Sequence, residues 1–352
     1  MENQIQIKSF SQIDINNPFF DSLKLDYREF EKWFAKKASD GAEAYLLIDK
    51  NNIEAFLYLK IEEDDVLDIE PPLPRAKRVK VGTFKVNPHG TRLGERFIKK
   101  IFDYAFKHNT SQVYVTIFDK HIALIQLFEK YGFKRIALKH TNNGTELVFL
   151  KDFNTIQNDV LLDYPRFKLN NNKKFLLSIY PEYHTRLFPD SILNNESFSE
   201  IEDVSHTNSI HKVYICFMDV SVLKTGDLIL IYRTKDDKGP AYYRSVVTSV
   251  CVVEEVRVKA NFNNINDFLN YCKPYSVFKQ DELLDWFSKK NIFVIKMTYN
   301  AAFQKKITRG NLIDNLGYNS DIKWSFFEIS NEQFLKTLKA GGVNESVIIN
   351  QT

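Results

Sequence analysis

Residues Arg75 to Ile101, RAKRVKVGTFKVNPHGTRLGERFIKKI, constrain the fold of this chain more than any other stretch. Val79, Val81, Phe84 and Val86 put β-branched and aromatic side chains along one extended segment, which suits a pleated surface. Asn87-Pro88-His89-Gly90 then interrupts it. From Leu93 the apolar residues recur at Phe97, Ile98 and Ile101, the spacing of one helix face. Nine Lys/Arg in this stretch accompany a single acid, Glu95. A strand running into a helix N-terminus gathers free backbone N–H groups at one point. With positive charge around them, the pattern predicts a phosphate site. Taken alone, the same residues describe only a basic surface helix after a strand.

The flanking sequence supplies the rest of a mixed α/β unit. Gln4 to Phe10 alternates as an opening strand. Tyr27, Phe30, Trp33 and Phe34 form the apolar stripe of a helical region that begins near Asp26. Ala44–Ile48 and Ile53–Lys60 read as a hairpin about Asp49-Lys50-Asn51-Asn52. An acidic run, Glu62 to Asp65, and a loop with Pro71, Pro72 and Pro74 precede the central stretch. Beyond it come a strand at Gln112–Ile117, a helix at Ile122–Tyr131, and a hairpin of Phe133–Leu138 with Thr145–Leu150 about Asn142-Asn143-Gly144. Residues 153–173, polar and rich in Asn and Asp, predict a linker between a domain of residues 1–152 and one of 174–352. From Phe175 onward strands dominate, with helices expected at Ile265–Tyr271, Gln280–Ser288 and Asn331–Lys339.

At 352 residues, with 44% hydrophobic and 14% aromatic content, the chain can bury two cores. The net charge of +3 is spread evenly, with 23 Lys/Arg against 21 Asp/Glu in residues 1–150 and 25 against 24 afterwards. Neither half is basic enough in bulk to announce nucleic-acid binding, so any such contact rests on local patches. Cys216, Cys251 and Cys272 are far apart with no CxxC pair, which suggests a reducing compartment and no zinc site. No signal peptide and no apolar run of membrane-spanning length is present, so a cytoplasmic, non-membrane protein without a bound metal is expected.

The order β-α-β-β-β-α-β-α-β over residues 1–150 resembles the GNAT acyl-CoA N-acetyltransferase fold. In that family a central strand splays from its neighbour, and a signature turn and helix grip the coenzyme pyrophosphate. His89-Gly90-Thr91-Arg92-Leu93-Gly94 matches the signature Q/R-x-x-G-x-G/A, with His89 at the Gln/Arg position, Arg92 at the first Gly and Gly94 at the last. Asp119–Phe133, closing in Tyr131-Gly132-Phe133, resembles the family's second conserved helix. The resemblance implies acetyl-CoA as cofactor, held by Val86, His89, Gly90, Thr91, Arg92, Leu93, Gly94 and Arg96. Phe128 stands where the family's tyrosine general acid is usual, and a phenyl ring cannot protonate a thiolate. No Asp or Glu lies in Val79–Val86, so the catalytic residues stay unassigned. Glu70, the Glu62–Asp68 run, Tyr114 and His121 are the polar groups nearest in sequence, each of which also has a plain structural reading as surface or strand residue.

Phe175 to Pro189, FLLSIYPEYHTRLFP, resembles the opening of ASCH domains, which are PUA-like barrels. Gly226-Asp227 with Leu228–Tyr232, and then Ala241–Glu255, resemble later barrel strands. The fold class expected is therefore α+β, an N-terminal GNAT mixed sheet followed by a C-terminal PUA-like (ASCH) β-barrel. PUA-like barrels generally bind RNA or modified bases, and some ASCH members are nucleases or amidohydrolases. The lysine of the hydrolytic members has no counterpart in Asp190–Glu196. His184, Arg186, Ser205, His206, Asn208, Arg233 and Arg244 are the nucleic-acid pocket candidates within 174–340, because Arg and polar side chains suit phosphate and base contacts. A polar structural network is the alternative for the same residues.

The whole resembles the GNAT-plus-ASCH portion of a bacterial protein group in which a PIN-type nuclease domain can also occur. That implies acetyl-CoA, RNA or another nucleic acid, and a PIN-type nuclease as partners, with no PIN domain in this chain. The function implied is an N-acetyltransferase directed to RNA or an RNA-associated substrate. The alternatives are a non-catalytic module that binds acyl-CoA and nucleic acid, and a nuclease or base hydrolase acting in the ASCH pocket.

Overall fold

Two tight turns shape the first sheet. Lys50 and Asn51 both take positive φ, of 45° and 66°, as a two-residue hairpin requires, and Gly144 at φ 124° closes the last hairpin. The computed structural model describes residues 5–87, 93–188 and 209–349. It divides into two units, Met1–Gln157 and Asn158–Thr352. In the first unit the elements are β1 (Ile5–Ser9), α1 (Asp21–Asp26), α2 (Phe30–Ser39), β2 (Glu43–Asp49), β3 (Asn52–Glu62), β4 (Arg78–Val86), α3 (Leu93–Lys107), β5 (Gln112–Phe118), α4 (Ile122–Lys130), β6 (Lys134–Thr141) and β7 (Gly144–Asp152). The strands form one sheet in the order β1-β2-β3-β4-β5-β7-β6. Every neighbouring pair is antiparallel except β4 and β5.

Aromatic packing holds α2 to this sheet. Phe10, Phe20, Phe30 and Phe34 meet Phe56 and Tyr58 of β3 in one buried cluster. Phe10 alone packs on Phe34, Phe56 and Tyr58 with ring centroids 4.8–5.6 Å apart, and each such pair adds about 0.5–1.5 kcal/mol beyond its burial. The helical stripe expected from Asp26 is broken: α1 ends at Asp26 and α2 starts at Phe30, with Tyr27 extended at φ −129° and ψ 103°. α3 buries Leu93, Phe97, Ile98, Ile101, Phe102 and Ala105, the face its spacing predicts.

In the second unit the elements are β8 (Phe167–Lys168), β9 (Lys174–Ile179), α5 (Pro181–Leu187), β10 (His211–Cys216), β11 (Leu228–Arg233), α6 (Ala241–Arg244), β12 (Val246–Val258), α7 (Ile265–Cys272), α8 (Gln280–Ser288), β13 (Phe293–Thr308), α9 (Arg309–Leu316), β14 (Phe326–Ile329), α10 (Asn331–Ala340) and β15 (Ile348–Ile349). Six strands pair in the order β10-β13-β12-β11-β9-β14, with β9 and β11 parallel. The long β12–β13 pair carries three register shifts, and bulges of this kind bend a sheet. Side chains from β9, β10, β11, β12 and β13 all enter one core with Leu187 and Phe188. Among the described residues the ladder does not close, since β10 and β14 stand at opposite edges. The PUA-like β-barrel expected from sequence is therefore not what the described residues show: they show an open six-stranded sheet. Ala241–Arg244, read from sequence as strand, is helical, because Pro240 opens a turn there as its N-cap. Within the stretch expected to link the domains, the Tyr164 hydroxyl donates to the Tyr299 carbonyl at 2.8 Å, and β8 pairs with β15.

Candidate functional site

The first unit's sheet opens at its one parallel junction. β4 and β5 pair only from Arg78–Gln112 to Val81–Val115, and β4 runs on through Val86 without that partner. The divergence begins at a bulge. Tyr58 faces Thr83 and Leu59 faces Val81, so Gly82 is an extra residue in β4. A Cβ at Gly82 would sit 2.6 Å from the Tyr58 ring, which explains why the smallest residue occupies the bend. The gap opens into a cleft of ≈ 990 Å³. Thr83 to Asn87 of the β4 segment, Val115 to Phe118 of β5, Gly94 of α3 and Leu124 and Leu127 of α4 form one part of its wall. Phe30, Trp33 and Tyr58 form an aromatic part. Gly94 allows α3 and α4 to approach, since a Cβ there would lie 2.6 Å from Leu127 Cδ2.

Two acid–base pairs line this cleft, and both depend on the break between α1 and α2. The Tyr27 hydroxyl donates to Glu146 Oε1 at 2.7 Å, and the Thr116 hydroxyl donates to the same oxygen at 3.1 Å. Among the described residues Oε2 takes no hydrogen bond. Burial, followed by the Glu146 charge and hydrogen bond, holds the Tyr27 phenol far above its ordinary value, so it stays protonated as a donor. One residue earlier, Asp26 Oδ2 meets His121 Nε2 at 2.9 Å, and Lys120 pairs with Asp26 Oδ1. The chain between the helices is fastened to the β6–β7 turn: Arg28 N–H donates to Asn143 Oδ1 at 3.3 Å, and Asn143 Nδ2 reaches both Glu29 oxygens at 2.9 Å. Phe118 packs on Tyr27 with centroids 5.2 Å apart and the rings tilted by 36°.

The cleft is also rich in lysine. Lys36, Lys37, Lys60, Lys80, Lys85, Lys120 and Lys139 line it against Asp26, Glu29 and Glu146. Several are engaged: Lys60 and Lys80 approach Glu62, which also accepts from the Tyr114 hydroxyl. Burial pushes Glu62 up, but the bonds from Lys60 and Tyr114 and the charges of Lys80 and Lys60 outweigh it and leave Glu62 below its usual range. Burial lowers Lys80 and Lys85. The Lys85 ammonium bonds the Ser22 hydroxyl at 2.6 Å. Such a cleft favours an anionic ligand.

Of the residues expected at a coenzyme site, Val86 and Gly94 line the cleft. Leu93 and Arg96 lie buried in α3 and are not among its lining residues. His89, Gly90, Thr91 and Arg92 lie outside the described residues. Phe128 is buried edge-on against Phe84 and Phe133 and does not reach the cleft. His121 does reach it, whereas Tyr114 turns to Glu62 and lies buried. Asp26, Tyr27, Thr116 and Glu146 were not singled out from sequence. The available signal was Glu146 in register with Val148 and Leu150, a carboxylate on the inward face of a strand.

In the second unit the pocket candidates are tied inward. His184 is 0% exposed, and its Nε2 meets the Thr248 hydroxyl at 2.8 Å. Burial, with the Arg233 and Lys306 charges behind it, pushes His184 down to about 3, so the ring is neutral near pH 7. Arg186 donates to the Val277 carbonyl. Arg233 is buried on β11. Arg244 grips Asp236, with Nε to Oδ1 at 2.7 Å and Nη2 to Oδ2, and holds that carboxyl down at about 2. Ser205, His206 and Asn208 lie outside the described residues. His211, three residues beyond, bonds Glu254 and does not join His184. Among the described residues no helix is long and apolar enough to cross a membrane.

No family model and no curated protein matches the chain. Solved structures do. The ASCH protein of Zymomonas mobilis is similar at 12% identity over 47% of this chain and 94% of its own, with a TM-score of 0.34. The Campylobacter jejuni N-acetyltransferase PseH, solved in complex with acetyl coenzyme A, is similar at 14% identity over 42% and 99%, with a TM-score of 0.29. The ribosomal-protein-S18-alanine N-acetyltransferase of Escherichia coli is similar at 17% identity over 42% and 91%, also at 0.29. The solved structures similar to this chain thus include both an ASCH protein and GNAT N-acetyltransferases, the two kinds that its sequence resembles.

Proposed function

We propose that the first unit transfers an acyl group from acyl-CoA to an amine. One observation carries this reading: a single parallel junction parts after four residue pairs and opens onto a cleft that holds a buried carboxylate. The coenzyme would enter beside Val86 and residues 89–94, with its thioester between β4 and β5. The acceptor amine would approach along Phe30, Trp33 and Tyr58. Glu146 Oε2 is the group suited to take the amine proton, while Tyr27 and Thr116 hold Oε1 in place. The amine nitrogen attacks the thioester carbonyl, forming the C–N bond. The oxyanion is held by a β4 backbone N–H, and its collapse breaks the C–S bond. Titration calorimetry with acetyl-CoA is the direct test: absence of heat and of any thermal shift would refute the reading.

For the second unit we propose a binding role toward RNA or a modified base, with residues 174–352 as its domain and 153–173 as the approach to it. The six-stranded sheet, with exposed Tyr180, Tyr243 and partly exposed Arg244 near its strand ends, supports this more than any hydrolytic group does. Filter binding of RNA across a salt series tests it. A second reading, a module that binds acyl-CoA without catalysis, is favoured by Phe128, which offers no proton. Acetyl-CoA binding with no transfer to tRNA, protein or polyamine acceptors would select it.

A further inference from the structure

Acyl transfer needs a proton for the departing thiolate as well as a base for the amine, and Phe128 supplies none. We infer that His121, oriented by Asp26, donates that proton. The inference rests on the coenzyme reading above and adds to it the leaving-group end of the reaction.

Four observations converge on this pair. First, His121 and Asp26 line the same cleft as Gly94, Leu124 and Leu127, the wall expected to hold the coenzyme arm. Second, the backbone of His121 is fixed at the start of α4. Its N–H donates to Phe118 O at 3.1 Å, and its carbonyl accepts from Leu124 and Ile125, each at 3.0 Å. Third, Asp26 takes His121 Nε2 at 2.9 Å, and among the described residues Nδ1 makes no hydrogen bond. A carboxylate on one ring nitrogen fixes the ring orientation and keeps a proton on that nitrogen, so the proton that the imidazolium can give up is the one on the other. Fourth, Asp26 is followed directly by Tyr27, whose partner is Glu146. The cleft therefore holds two titratable pairs in unlike surroundings, the pattern that separates an acid from a base. The base side is buried, whereas the His121 side chain is 42% exposed and open to solvent for reprotonation.

The step balances. As the C–S bond breaks, its electron pair goes to sulfur, and the proton on His121 Nδ1 moves to that sulfur to give the free thiol. Asp26 keeps the Nε2 proton throughout. Glu146 holds the proton from the amine, and solvent returns both groups to their starting states. His121 pairs with Asp26 at the end of α1 and shares the cleft wall with Tyr27 after it, Lys120 before α4, Lys85 on β4, Glu146 on β7, and the cleft's Glu29 and remaining lysines.

The experiment needs no acceptor. Coenzyme A with a free thiol is bound to the full chain, and thiolate absorbance in the ultraviolet is followed against pH for the natural protein, His121→Gln and Asp26→Asn. A donor at the sulfur stabilises the thiolate, so the bound thiol should titrate about one unit or more below free coenzyme A. His121→Gln should return it to the free value, and Asp26→Asn should lie between them. Heat from acetyl-CoA with His121→Gln establishes that the cleft still forms. If His121→Gln fails to fold, Asp26→Asn carries the same comparison. A bound thiol that titrates like free coenzyme A, or identically in all three proteins, overturns the inference while leaving coenzyme binding intact. No heat from acetyl-CoA with the natural protein removes the coenzyme reading itself and the inference with it.

Discussion

Both halves of the chain bury polar side chains, but they differ in what those side chains still have to offer. Glu146 is 3% exposed, yet its two hydrogen bonds fall on a single oxygen, and the other lies open toward a cleft. Arg186 and Ser178 in the second unit are engaged with backbone carbonyls of Val277 and Trp324, and Arg244 is clamped on Asp236. His184 is sealed away and neutral. The first arrangement leaves a reactive atom spare. The second uses most of these groups to fix the sheet and the helices packed on it. A buried polar residue is therefore informative about function when an uncommitted atom also meets a cleft, as at Glu146; His184 Nδ1 likewise has no hydrogen bond among the described residues, but the residue is fully buried.

The sharpest way to break this contrast is Glu146→Gln. It keeps the hydrogen-bond acceptor for Tyr27 but removes the base, so transfer should fall about 10²–10⁴-fold, the usual worth of a positioned general base, while calorimetric acetyl-CoA binding stays unchanged. Equal loss of both would make Glu146 a structural residue. Next in size is the acid response of the second unit. In the unfolded chain His184 binds a proton near 6.5, but in the fold only near 3. Between those values the unfolded state holds more protons, so stability is lost as pH falls through this window and is fully present above it. The whole window is worth up to a few kcal/mol. Denaturant midpoints of His184→Asn should fall less steeply with acid than those of the natural protein; parallel curves would mean that the ring is not sealed.

Phe128→Tyr sharpens the comparison further. Restoring a hydroxyl at that position should not restore an acid, because the ring is enclosed by Phe84 and Phe133. It should instead cost about 1–3 kcal/mol for a buried donor without a partner, seen as a lower melting temperature, and a faster enzyme with unchanged stability would contradict the packing. The smallest effect belongs to Arg244→Ala. The Arg244–Asp236 pair is only partly exposed, but ion pairs near the surface still contribute about 0–1 kcal/mol, so stability should barely move. If the second unit contacts RNA through Arg244, the slope of log affinity against log salt should fall by about one.

Much of this was legible in the sequence where local and tertiary forces agree. The central strand and helix, both hairpins of the first sheet, and α7, α8 and α10 follow from periodicity and turn residues. Legibility ended where one force overrode another. Apolar spacing through Tyr27 and Phe30 suggested continuous helix, yet Asn143 and Glu146, more than a hundred residues away, pull that segment open. The sixteen residues of β13 extend well past the apolar IFVIKMTY: Phe303 to Lys306 fall in a register shift without a β12 partner, and pairing resumes at Ile307 and Thr308. β8 and β15 are two residues each and form only through one another. The strand β4 and helix α3 of the central stretch were readable from their spacing, but Glu146, Thr116 and Tyr27 meet only after three separate elements have packed.

The interruption between α1 and α2 has a consequence for how the reaction could be tuned. Asp26 and Tyr27 are joined by one peptide bond, so the supports of the proton donor and of the proton acceptor are about 3.8 Å apart by covalent geometry. A tilt of α1 would shift both supports together and keep their spacing constant. Substitutions along α1 would therefore act as a common gain control on both proton transfers, whereas a single residue inserted between Asp26 and Tyr27 would uncouple them. In the proposed reaction, the backbone itself would set the synchrony of the two ends.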